Sequence, residues 1–154
     1  MNKVIFGALA GITATTAMTC FMRVSFKWLK PEHRYPLPPR ELTDNLLPHI
    51  SPKSDAAPVA AHFAYGALAG ALYPILRRRK PNGCLYGLAV WAASYLGWIP
   101  LIKVLKPATQ HPAQRNLLMI VAHLVWGGIL QHSYEEISRS SATQFAAGWN
   151  KDTF

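Results

Sequence analysis

Charge is missing from four long stretches of the chain. No Lys, Arg, Asp or Glu stands between Lys3 and Arg23 (19 residues), Asp55 and Arg77 (21), Lys80 and Lys103 (22), or Arg115 and Glu135 (19). A hydrocarbon core of about 30 Å takes roughly 20 helical residues at about 1.5 Å each. The runs therefore predict four transmembrane helices, over about residues 4–22, 58–76, 84–102 and 117–134. Inside lipid only helices and closed barrels satisfy the backbone, and the strict alternation of barrel strands is absent. A secretory signal is the rival reading of the first run, with Met1-Asn2-Lys3 as its basic end and Ala17 as a cleavage residue. Cys20 after Ala17-Met18-Thr19 makes a poor lipoprotein box, and the first run is read as a retained helix.

The runs echo one another. Phe6-Gly7-Ala8-Leu9-Ala10-Gly11 returns as Tyr65-Gly66-Ala67-Leu68-Ala69-Gly70, and more faintly as Tyr86-Gly87-Leu88-Ala89. Ala61-His62-Phe63-Ala64-Tyr65-Gly66 matches Ala122-His123-Leu124-Val125-Trp126-Gly127. The expected fold is an all-α integral membrane protein, one membrane domain of four helices built as two repeated hairpins. A parallel repeat of this kind has its pseudo-twofold axis along the membrane normal.

The connectors are unequal. Residues 23–57 form a long first connector, opening with Val24, Phe26, Trp28 and Leu29 as an interfacial anchor. Pro36-Leu37-Pro38-Pro39-Arg40 reads as stiff and extended, and Glu41–Leu47 as a short helix. The second connector is a tight basic turn, Arg77-Arg78-Arg79-Lys80 before Pro81-Asn82-Gly83. The tail from Ser138 is polar and expected to fray.

Composition agrees with a membrane chain. Of 154 residues, 51% are hydrophobic and 15% charged, against about 25% charged in an average soluble domain. That hydrophobicity excludes disorder. Two cysteines exclude a disulfide scaffold, and Cys20 and Cys84 fall near opposite membrane faces, beyond the reach of a bond. The net charge of +9 requires no nucleic acid: Arg77, Arg78, Arg79 and Lys80 beside a helix end are what anionic lipid headgroups attract. The N-terminus, second connector and tail carry seven positive residues, the other two connectors nine. Proximity to a helix end outweighs the count, so both termini are placed in the cytoplasm.

His62 and His123 are the sharpest chemical feature. Ionisable groups inside a span are rare and point to function by default. Both lie on helices entering from the side of the first and third connectors, roughly 6 and 9 Å deep at about 1.5 Å per residue. Each precedes a glycine by four residues, giving the stripes His62-Gly66-Gly70 and His123-Gly127-Gln131. Small residues let helices approach, so both stripes are expected to face the bundle interior.

The commonest role for such a histidine is a hydrogen bond to a neighbouring helix, here at Thr13, Thr16 or Ser94. The alternatives are a metal or haem held between helices, with Cys20 as a third ligand, and a proton or substrate relay. His33, His49 and His111 share that membrane side and His132 does not. Arg40 and Asp44 form an i,i+4 pair beside Glu41, with an anion clamp as the rarer role. Gly7 and Gly11 suit packing within the chain or self-association.

No phosphate-cradling loop, Cys-x-x-Cys, His-Glu-x-x-His or nucleophile elbow is found, and no carboxylate lies inside a span. That argues against a familiar hydrolase, ATPase or ion-coupled transporter. The residues name no cofactor.

Pro36-Leu37-Pro38-Pro39-Arg40, His62 before a small-residue helix, and His123-Leu124-Val125-Trp126 resemble the YagU-like family of small bacterial inner-membrane proteins. The likeness touches the first connector and the second and fourth helices, about half the chain, and this chain has the more compact connector. It implies an integral inner-membrane protein with no assigned biochemical activity. The leading expectation is thus a non-enzymatic structural or accessory inner-membrane protein, acting as a homo-oligomer or with a membrane partner. A histidine-based metal, haem or proton site is the alternative, and a small oligomeric transporter the weaker one.

Overall fold

The computed structural model describes residues 3–28, 56–76, 82–101 and 112–143. They form four helices: α1 (Lys3–Trp28), α2 (Ala56–Leu76), α3 (Gly83–Leu101) and α4 (Ala113–Thr143). Each is long and apolar enough to cross a membrane, and no strand occurs among the described residues.

Two helices outrun their charge-free stretches. α1 continues to Trp28, so Val24, Phe26 and Trp28 extend a helix rather than open a connector. α4 runs to Thr143, through the first residues of the expected frayed tail. The reason is physical. A charge gap measures the thickness of lipid, whereas a helix leaving lipid keeps its internal hydrogen bonds in water. On α4 the emerging turns gain one-turn side-chain pairs: Gln131 Nε2 donates to Glu135 Oε1 at 3.0 Å, and Arg139 meets Glu136 at 3.2 Å.

Several expectations lie outside the described residues: Pro36–Arg40 and the short helix over 41–47, His33, His49 and His111, the Arg77-Arg78-Arg79-Lys80 turn, and the tail beyond Thr143.

α3 is built in three parts. Asn82 caps its start in an extended conformation, and its side-chain oxygen accepts from the Leu85 amide at 3.1 Å. An α-helical stretch over Gly83–Ala92 leads into a wider π turn over Ala93–Trp98, where Gly97 leaves helical geometry (φ −102°, ψ −107°). Pro100 supplies the cause. It offers no N–H to the Leu96 carbonyl and its ring crowds that carbonyl, so the preceding turn widens.

α1 is the hub. It packs against α2 and α4, and α3 packs against α4. The order around the bundle is α2–α1–α4–α3. The core stripe on α1 repeats every four residues, as Phe6, Ala10, Ala14, Met18 and Met22, and meets Tyr73 of α2 and Trp126, Leu130 and Tyr134 of α4. Ile5, Leu9, Leu68, Leu72 and Leu85 face outward, as lipid-facing positions do.

Candidate functional site

Glycine closes two of the three packed seams. Side chains added at Gly7 and Gly11 would run into the carbonyl oxygens of Gly70 and Gly66, and one at Gly70 would stand 2.6 Å from the Gly11 Cα. Pro74 has no N–H for the Gly70 carbonyl, so that oxygen is free to meet the Cα–H face of Gly7 instead. α3 and α4 close the same way, Gly83 against the Gly127 carbonyl and Gly87 against that of His123. The glycines Gly7, Gly11, Gly66, Gly70 and Gly127 all lie in these contacts, and all are between helices of the same chain.

The two stripes seat on different helices. Gly66 and Gly70 seat α2 on α1, whereas His123, Gly127 and Gln131 seat α4 on α3. Gln131 completes that second seam: its Oε1 accepts from the Gly83 amide at 2.6 Å, one of the unpaired N–H groups at the start of α3.

The third seam, α1 on α4, is fastened by hydroxyl and indole. Thr15 is 1% exposed; its Oγ1 donates to the Gly11 carbonyl at 2.8 Å and accepts from Trp126 Nε1 at 3.1 Å. Thr13 and Thr16, expected as histidine partners, face outward and donate to their own helix at Leu9 and Ile12, both at 3.1 Å. Ser94 is taken too: it donates to the Val90 carbonyl at 2.8 Å and shares a 2.5 Å hydrogen bond with the Tyr65 hydroxyl. A hydroxyl bonded one turn back costs lipid little, so the threonines bury no loose donor.

His123 instead donates from Nδ1 to the Met119 carbonyl of its own helix at 2.7 Å. A carbonyl only accepts, so this bond places a proton on Nδ1. In the neutral imidazole Nε2 is then the bare nitrogen. His62 is half-buried with its ring edge-on to Phe63, and its buried Nε2 has no hydrogen-bond partner among the described residues. Among the described residues no three His, Cys, Asp or Glu side chains come together as a metal-holding group, and Cys20 and Cys84 are exposed free thiols.

The residue that sequence reasoning missed is Arg115. It entered only as the edge of a charge-free run, with no role assigned, and it is 4% exposed. Its Nε donates to the Tyr95 hydroxyl of α3 at 3.0 Å, and Tyr95 stacks on Trp91. Adjacent residues of the π turn therefore serve two helices, Ser94 reaching α2 and Tyr95 reaching α4. Pro100, with a glycine three residues before it, was the available signal for that turn.

Set against protein-family models, curated proteins and solved structures, the chain matches none of them.

Proposed function

We propose that this chain is a non-enzymatic inner-membrane protein, a structural or accessory component that works beside a partner in the bilayer. Both termini are read as cytoplasmic, and the bundle as two repeated hairpins. The observation that carries the reading is how the polar groups of the spans are spent. Thr15 with Trp126, Tyr65 with Ser94, Tyr95 with Arg115 and Gln131 with Gly83 each fasten one helix to the next. Polar groups used as fasteners hold a shape and leave little for turnover. The outward faces of α1 and α2 remain apolar, a surface that a second membrane protein can share with lipid. The resemblance to the YagU-like family points the same way, toward an inner-membrane component with no assigned activity. The test is a pull-down of the tagged chain from its native membranes in mild detergent. A partner at fixed stoichiometry is expected; recovery of the chain alone removes the support.

A second reading keeps a ligand at His62 and His123. It is favoured by the unpartnered Nε2 of His62, and by the Nδ1 bond of His123 that leaves Nε2 as the bare nitrogen. A metal-bound histidine commonly donates its other nitrogen to a backbone carbonyl in this way. Elemental and haem analysis of wild type beside His62→Ala/His123→Ala tests it: a near-stoichiometric metal lost in the variant supports this reading.

A further inference from the structure

Among the described residues three of the four seams around the bundle are packed, and the fourth, between α2 and α3, stands open. Side chains alone bridge it: Tyr65 to Ser94, the Tyr86 hydroxyl donating to the Ala69 carbonyl at 2.6 Å, and the Tyr73 ring 5.1 Å from that of Tyr86. Tyr65 also reaches further along α3, where its ring lies 6.2 Å from that of Trp98. Gly97, outside helical geometry, stands between those two contacts.

We propose that α3 is hinged at Gly97, that its last turn, residues 98–101, swings against the open seam, and that Tyr65 is the latch holding it in. Four observations support this. First, the backbone ladder is thinnest at this point. Pro100 offers no N–H, and the bond that crosses Gly97, from the Ile99 amide to the Ser94 carbonyl, closes a π loop rather than an α one. Bending elsewhere in the span would break intact bonds with no water to replace them, so a bend concentrates here. Gly97 has no Cβ and admits a wider range of backbone angles than any other residue type. Second, the body of α3 before the hinge is fixed to α4. Gly83 and Gly87 meet α4 backbone, the Gly83 amide bonds Gln131, and Tyr95 accepts from Arg115. Third, the hold loosens beyond the hinge. Trp98 is 37% and Leu101 80% exposed, only Ile99 is buried, and among the described residues Ile99–Leu101 forms no packed seam with another helix. Fourth, Tyr65 spans the hinge, its hydroxyl on the fixed side at Ser94 and its ring on the moving side at Trp98. The lever from Gly97 to Leu101 is about 6 Å at about 1.5 Å per residue, so a change of about 20–30° in the kink moves the end of α3 by roughly 2–3 Å. Every residue in the device belongs to this chain, so it stands apart from the search for a partner.

The experiment measures distances between spin labels in the full chain in lipid nanodiscs, with Cys20 and Cys84 replaced by Ser and labelled chain diluted in unlabelled chain. One pair, Val24→Cys with Leu101→Cys, reports the end of α3 from across the bundle. The other, Ile5→Cys with Leu85→Cys, reports its body; all four positions are exposed. Tyr65→Ala is expected to shift the first pair by about 2–3 Å and leave the second in place. Trp98→Leu, which removes only the ring partner, is expected to shift the first pair in the same direction. Repeated in a Pro100→Ala chain, whose ladder is restored, both shifts should fall at least twofold. An unmoved first pair in both variants overturns the proposal, as does a shift that persists in full with Pro100→Ala. Equal movement of both pairs also overturns it, because it marks loosening of the whole bundle rather than motion at Gly97.

Discussion

Gly127 and Gly128 are neighbours on one helix, and replacing each by Ala should have opposite results. A Cβ at Gly127 would run into the Gly83 carbonyl oxygen, stand 2.8 Å from its carbon and 3.0 Å from the Gly87 Cα. All of these are backbone atoms, which cannot rotate away. The oxygen is the nearest of the three, and restoring an ordinary contact of about 3.5 Å with it requires α3 and α4 to part by more than about 1 Å. A gap of about 1 Å already forfeits up to about half of each dispersion contact along the seam. It also stretches the 2.6 Å bond from the Gly83 amide to Gln131 toward the limit of a useful hydrogen bond. Overpacking of this kind costs about 1–3 kcal/mol, against which Ala gains at most about 1 kcal/mol in helix propensity. Gly127→Ala should therefore destabilise by about 1–2 kcal/mol, and Gly127→Val by more. At Gly128 the nearest atom to a new Cβ is Cys84 Sγ at 3.6 Å, an ordinary contact. Gly128→Ala should be neutral, or stabilising by up to about 1 kcal/mol. Unfolding of both variants in mixed micelles, followed by tryptophan emission and circular dichroism, reads the difference. Equal effects at the two positions would refute glycine-on-backbone closure of this seam.

Thr15→Val keeps the shape but removes the acceptor of the buried Trp126 N–H, and should cost about 0.5–2 kcal/mol, where Thr13→Val on the outward face should cost nothing measurable; the same unfolding assay compares them. Tyr95→Phe takes one acceptor from the buried Arg115 and should destabilise by about 1.5–3 kcal/mol, the range for a hydrogen bond to a charged group, with faster proteolysis near the start of α4 as the local readout. Gln131→Leu leaves the Gly83 amide without its side-chain acceptor, so hydrogen exchange at Gly83 should quicken while exchange at the centre of α3 stays slow.

The four helices were readable because charge is costly in lipid, and each gap in the charge pattern falls in a helix long and apolar enough to cross a membrane. Their ends were not, since nothing in a charge gap stops α1 before Trp28 or α4 before Thr143. The glycines were legible as contact positions, because only a missing side chain lets two backbones meet. Which helix each would meet was hidden. Periodicity puts His62 and Gly66 on one face but is silent about the neighbour, and α1 proved to be the hub that α2 seats on. Arg115 illustrates the same gap: a lone charge at the edge of a run reads as solvated until Tyr95 of another helix is found beside it. The open seam between α2 and α3 follows from three-dimensional packing alone, and no residue pattern announces it.

The central claim is that the polar groups of these spans serve to hold a shape that a membrane partner uses. Native mass spectrometry of the complex released directly from its own membranes tests this most directly, because one spectrum weighs a partner protein and any bound metal or haem together. The account predicts the chain at fixed stoichiometry with a second protein or further copies of itself, and no metal or haem mass. A monomer carrying one metal or haem, lost in His62→Ala/His123→Ala, would contradict it and place the function at the two histidines.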